Sequence, residues 1–266
     1  MMQNSALVRH FETFLASIPL EKYREELLPI KTVEQDLPKE LIPLTDIYEQ
    51  YWVDVDDVVS FMDYEEFFDA WWQSHLSPLD KFIRQYFWGC SHAFVMLGFK
   101  ARLYRTLVSV LTQFHFSYQW QSVCALPMTT STELDMKGID LQIKSQEKTI
   151  ALSVKKETYR REAAGEGRFG TKSWQDIDAV TEIPYTISLP SDYEKSLKRA
   201  RTEATRERYQ LSLFLATNLL RFLPNDFVVF QPQYPLAVER FITTELPQTN
   251  TKQIAWQDTL KYIMRT

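Results

Sequence analysis

Between residues 138 and 157 the chain twice alternates apolar and polar side chains, one for one, around a short polar turn. A period of two suits an extended strand with one face against a core, and it excludes a helix over the same stretch. In the first run Ile139, Leu141 and Ile143 share one face, leaving Asp140, Gln142 and Lys144 on the other. In the second, Ile150, Leu152 and Val154 share a face, and Ala151, Ser153, Lys155 and Glu157 lie opposite. The joining residues Ser145, Gln146, Glu147 and Lys148 are few and polar, so the two runs are predicted to pair as an antiparallel hairpin. Asp140, at the start of one strand, then comes level with Lys155 near the end of its partner.

That placement matches the pattern D-x(n)-(D/E)-x-K, read here as Asp140 followed by Ser153, Val154 and Lys155. A carboxylate and a lysine on neighbouring strands suit a metal-dependent nuclease: the acid helps hold a divalent cation and the ammonium sits beside the scissile phosphate. Ser153 departs from the pattern, because it stands where a second carboxylate is usual. Mg²⁺ takes oxygen ligands in near-octahedral geometry, commonly one or two carboxylates with water and phosphate. Asp135 and Glu157 are the nearby candidates for further coordination. Solvated charges on a surface hairpin would leave the same pattern, so both readings stand at this point.

Around the hairpin the chain reads as helices first and a mixed sheet afterwards. Leu7, Phe11, Phe14, Leu15 and Ile18 recur at helical spacing. Asp63 and Glu66 form a predicted capping box ahead of Phe67, Phe68, Trp71 and Trp72, which are expected to pack inward. Ser77, Pro78 and Asp80 announce another helix, apolar on most sides, running to about Tyr118 with a break expected near Gly98. His92 and His115 read as core histidines, and Arg102 and Arg105 as residues bonded within the fold. After the hairpin, residues 182–188 are predicted to form a third strand. A long helix is predicted from a capping box at Ser191 and Glu194, with Tyr193, Leu197, Ala200, Ala204, Leu211 and Phe214 as its apolar stripe. Residues 226–231 are predicted to be the last sheet strand.

The expected class is therefore α/β, more closely an α+β mixed sheet flanked by helices. A helical, partly acidic annex is expected over residues 1–120 and a catalytic sheet core over residues 121–266. Charge divides in the same sense: the first 80 residues hold 17 acids against 5 bases, the remainder 18 acids against 25 bases. The later part can therefore face a polyanion although the net charge is −5. Residues 160–172 hold three of the six glycines among Arg160, Arg161, Arg168 and Lys172, a composition suited to a phosphate backbone. The face bearing Lys198 and Arg199 is a second candidate for DNA contact, or a solvated helix face. No apolar run is long enough for a membrane span, no signal peptide is apparent, and two cysteines suit a reduced, cytoplasmic setting.

Longer strings carry a resemblance. PIKTVEQDLP at 29–38, EEFFD and WW within 65–72, PLDKFIRQYFWGCS at 78–91, ARLYRT at 101–106, TQFHF at 112–116, GID at 138–140, KKETYR at 155–160 and EIPYT at 182–186 resemble the TaqI-type restriction endonucleases, in order, over about residues 11–208. The resemblance implies a type II enzyme with a PD-(D/E)XK nuclease core that works as a homodimer with Mg²⁺ and is paired with a cognate DNA methyltransferase. It implies cleavage of double-stranded DNA at TCGA, between T and C in each strand, leaving 5′ overhangs with 5′-phosphates. Its catalytic aspartates fall on Asp135 and Asp140, its lysine on Lys155 or Lys156, and it tolerates a non-acidic residue at 153. Strand alternation favours Lys155. An inactive DNA-binding relative and a structure-specific or repair nuclease of the same fold are the alternatives.

Overall fold

The computed structural model describes residues 2–30, 41, 54–55, 58–59, 61–131, 134, 139–145, 147–157, 176–246 and 253–266. Two units are present: Thr13–Leu111, and Met1–Glu12 together with Thr112–Thr266. Helices α1 (Met2–Ser17) and α2 (Leu20–Leu27) precede a short antiparallel ribbon, β1 (Asp54–Val55) and β2 (Val58–Val59), followed by α3 (Tyr64–Ser74), α4 (Leu76–Tyr86) and α5 (His92–Val123).

Within the Thr13–Leu111 unit the aromatic run packs inward as its spacing requires. Asp63 and Glu66 cap α3 reciprocally, which satisfies backbone donors that a helix start leaves unpaired. Phe99 of α5 lies 5.8 Å from Trp71 and from Phe82 and 6.0 Å from Trp72, centroid to centroid. Arg105, though exposed, donates to the carbonyls of Leu28 and Ile30, the bonding within the fold that the sequence predicts.

Three local expectations in this unit are corrected. The break falls at residues 87–91, where Gly89 takes φ 83, while Gly98 is buried inside α5. Gly89 alone has the freedom for that left-handed turn, whereas a helix tolerates a packed glycine. α4 begins at Leu76 rather than at a Ser77 cap. Only one residue joins it to α3, so Ser77 and Pro78 already lie in the first turn, where Pro costs no hydrogen bond. His92 is exposed at the first residue of α5, edge-on to Trp72 at 5.3 Å.

The other unit is built on a five-stranded mixed sheet. Its strands are β3 (Met128–Thr129), β4 (Leu141–Ser145), β5 (Lys148–Lys156), β6 (Ala179–Tyr185) and, after further helices, β9 (Gln253–Ile254), in the order β3-β4-β5-β6-β9. The hairpin is antiparallel, with Leu141 opposite Leu152 and Ile143 opposite Ile150. β6 runs parallel to β5, placing Ser153 beside Glu182, Lys155 beside Pro184 and Lys156 beside Tyr185. Leu141, Ile143, Ile150, Leu152, Val154 and Ile183 enter one large core with Phe116, Trp120, Phe230 and Tyr234. Ala151 and Val180 belong to a smaller cluster with Ile139 and Ile177. The sheet thus has an apolar face and a second face where small and charged residues meet.

The elements after β6 are α6 (Pro190–Arg199), α7 (Glu203–Phe214), a π turn (Leu215–Leu219), the ribbon β7 (Leu220–Phe222) and β8 (Val228–Phe230), α8 (Gln233–Thr244) and α9 (Trp256–Arg265). The single long helix predicted from Ser191 is two helices. Ala200 is extended and Thr202 caps α7 by accepting the N–H of Thr205. α6 starts on Pro190 with no side-chain cap, so the Ser191 box does not form. The 226–231 segment supplies β8 of a separate two-stranded ribbon, not the last strand of the main sheet, whose edge is β9. Glu239 of α8 accepts the N–H groups of Ala125 and Leu126 at 2.7 and 2.6 Å, fixing the exit of α5 toward β3.

His115 is the core histidine the sequence predicts, fully buried. The N–H of Phe230 donates to its Nδ1 at 3.3 Å, so the ring proton sits on Nε2 and is given to Glu12 at 3.1 Å. Arg221 completes the group at 2.5 Å from Glu12. Burial holds His115 below the ordinary imidazole pKa, against the pull of Glu12. Burial raises Glu12, but its bonds to His115 and Arg221 outweigh that and leave it lowered. A lowered folded pKa means the unfolded chain takes up the proton first, so both groups stabilise at neutral pH and lose that contribution as pH falls. The urea midpoint is expected to drop between pH 7.5 and pH 5, and less steeply in His115→Gln; equal slopes would reject the assignment.

Candidate active site

Asp140 lies one residue before β4, so the antiparallel register brings it level with Ser153 of β5. Its side chain is only 3% exposed. Oδ2 accepts the Val154 N–H at 2.6 Å and the Ser153 hydroxyl at 3.3 Å, which holds the carboxylate against the strand. Lys155 Nζ stands 3.6 Å from the same oxygen, its side chain 31% exposed. A fixed, nearly buried carboxylate beside an ammonium that reaches solvent is an arrangement that can meet a phosphate from outside while the acid stays in place. The alternation of β5 assigns Lys156 to the same side as Leu152 and Val154 and next to Tyr185, away from Asp140.

Glu157 follows the last paired residue of β5, so alternation no longer governs it. It is 1% exposed. Tyr193 of α6 donates its hydroxyl to Oε2 and Ser212 of α7 donates to Oε1, each at 2.5 Å. Since the phenolic proton goes to Glu157, the Thr186 hydroxyl 2.6 Å away donates to Tyr193 and in turn accepts the Ser188 N–H at 3.1 Å. Burial, and then the Glu157 carboxylate, push the Tyr193 phenol above its usual pKa. This relay ties the end of the lysine-bearing strand to both following helices. Read from sequence, Tyr193 is only a member of an apolar stripe, and nothing local marks Ser212 as its companion.

Two donors need two acceptors here, and an amide offers only one. Glu157→Gln is therefore expected to destabilise the fold by about 1–3 kcal/mol. Tyr193→Phe is expected to cost a similar amount, with little further loss when the two are combined. Urea denaturation measures both, and additive effects would show that the two groups act separately.

Of the other residues singled out by sequence, Asp135, Arg160, Arg161, Arg168 and Lys172 lie outside the described residues. Lys198 and Arg199 are exposed in the last turn of α6, where cations also complement the helix dipole. Among the described residues no group of three or more His, Cys, Asp or Glu is placed to hold a metal ion. No described helix is long and apolar enough to cross a membrane.

Comparison with known proteins places this geometry in a wider setting. The family profile described as TaqI restriction endonuclease matches residues 8–242. The type II restriction enzyme TaqI of Thermus aquaticus is 50% identical over 246 residues, covering 92% of this chain and 91% of that protein. The type II restriction enzyme TthHB8I of Thermus thermophilus is 48% identical over 240 residues, covering 90% of this chain and 89% of that protein. No solved structure matches the chain.

Proposed function

The chain belongs to the TaqI restriction endonuclease family and is a type II restriction enzyme, a site-specific deoxyribonuclease; from that premise we propose that it cuts double-stranded DNA with Mg²⁺ at the site around Asp140 and Lys155. The observation that carries the site is the 3.6 Å approach of Lys155 to the fixed Asp140 carboxylate. The further reading is a PD-(D/E)XK core, a homodimer, the palindrome TCGA cut between T and C to leave 5′ overhangs with 5′-phosphates, a cytoplasmic setting, and a cognate methyltransferase. A two-fold dimer matches a palindrome by symmetry.

The donor set fits such a cation, because Asp140 offers carboxylate oxygen and its contacts among the described residues include no soft ligand. Bound there, Mg²⁺ supplies Lewis-acid stabilisation of the phosphoryl charge and a more acidic water. The chain's own groups do the rest. The Val154 N–H and Ser153 hydroxyl keep Asp140 aimed. Lys155 orients the attacking water and neutralises charge that grows on the phosphoryl oxygens. Asp135 is the second family aspartate. Glu157, with both oxygens taken by hydroxyls, supports the site by fixing the strand that carries Lys155, and any share in coordination runs through water. Lys198, Arg199 and the basic residues at 160, 161, 168 and 172 are proposed phosphate contacts.

Plasmid digestion with Mg²⁺, followed by mapping of the ends, tests this reading. Discrete fragments ending in 5′-CG overhangs are the expected result. A smear or nicking would point to a structure-specific nuclease, and intact DNA that is nonetheless bound would point to an inactive relative.

A further inference from the structure

Ser153 stands where a nuclease site of this pattern expects a carboxylate, and the sheet register brings a carboxylate-bearing residue of the next strand level with it. The hairpin register, continued one step beyond Leu141 and Leu152, sets Asp140 level with Ser153. The parallel pairing of β5 with β6 sets Ser153 level with Glu182. Asp140, Ser153 and Glu182 therefore form one row across three adjacent strands.

Packing assigns the same face independently. Leu152, Val154 and Ile183 enter the large core, whereas Ala151 and Val180 enter the small cluster on the other side. Two residues on from Ala151 and from Val180 come Ser153 and Glu182, with Lys155 one step further along β5. Asp140 and Glu182 are two strand spacings apart, about 9.5 Å between backbones. Between them stands the small side chain of Ser153, itself buried.

We infer that Glu182 is a carboxylate ligand of the catalytic cation, supplied from β6 because β5 carries serine at 153. This rests on the reading of Asp140 and Lys155 as the cleavage centre. Glu182 would share the cation with Asp140 across Ser153 and leave Lys155 for the phosphate.

The test uses the full-length chain bound to a duplex that the parent enzyme cuts. Ca²⁺ is titrated calorimetrically into the complex, and Mg²⁺-dependent cleavage is measured in parallel. Glu182→Gln, which keeps size and shape, is expected to weaken Ca²⁺ binding at least about tenfold and to raise the Mg²⁺ needed for half-maximal cleavage. Glu182→Asp, which keeps the charge, is expected to bind Ca²⁺ more tightly than Glu182→Gln, an order that a packing role would not produce. Parental Ca²⁺ affinity and parental Mg²⁺ dependence in Glu182→Gln would overturn the inference. If Asp140→Asn also kept both, the cleavage centre itself would be misplaced; if Asp140→Asn lost them and Glu182→Gln did not, only the role of Glu182 would be rejected.

Discussion

Replacing Asp140 by Asn is expected to lower DNA cleavage by on the order of 10³-fold while duplex binding stays measurable. The choice of Asn matters because Oδ2 of Asp140 accepts the Val154 N–H at 2.6 Å. The amide oxygen can still take that bond, so the strand start is kept and only the charge is removed. Asp140→Ala loses the acceptor as well and is expected to cost about a further 1–3 kcal/mol of fold stability, because a buried N–H is left without a partner. Single-turnover cleavage with saturating Mg²⁺, beside a mobility-shift titration of the same duplex, separates chemistry from affinity. Parental turnover in Asp140→Asn would remove this residue from the reaction.

The second large effect separates the neighbouring lysines. Lys155→Ala is expected to reduce turnover by on the order of 10²- to 10³-fold, with DNA affinity changing far less. Lys156→Ala is expected to stay near the parent rate. Sequence resemblance leaves the two equivalent, and only strand geometry distinguishes them. Lys155 shares the face of Ser153 and reaches Asp140 at 3.6 Å, while Lys156 is paired with Tyr185 and takes the alternate side. The reverse ranking would mean that β5 shifts by one residue when DNA is bound, since a one-residue slip moves every side chain to the opposite face.

Local signals proved readable where one short stretch contains the whole cause. The alternation around Asp140 and Lys155 specified the hairpin but not its full register, since Asp140 comes level with Ser153 rather than Lys155 and Ile139 packs with Ala151 rather than beside Leu141; the Asp63 and Glu66 cap formed as their three-residue spacing requires. Reading failed where the cause lies elsewhere. Gly98 and Gly89 are equivalent as letters, yet burial keeps one helical while the other turns the chain at φ 83. Ser191 and Glu194 have capping spacing, but Pro190 already opens the helix and leaves Ser191 inside its first turn rather than at its cap. β8 has the composition of a central strand and pairs with β7 instead. The parallel pairing that brings Glu182 beside Ser153 depends on contacts 29 positions apart in sequence, which no local pattern encodes.

The bonds joining Glu12 to His115 and Arg221, and His115 to Phe230, have a consequence for synthesis. A ribosome releases the chain from its amino end, so residue 12 emerges more than two hundred positions ahead of two of those companions. The start of α1 must wait through most of translation before its acid is matched. The helix is docked only once residues 221 and 230 have been made, so removing the chain from residue 221 onward is expected to loosen the first helix as well.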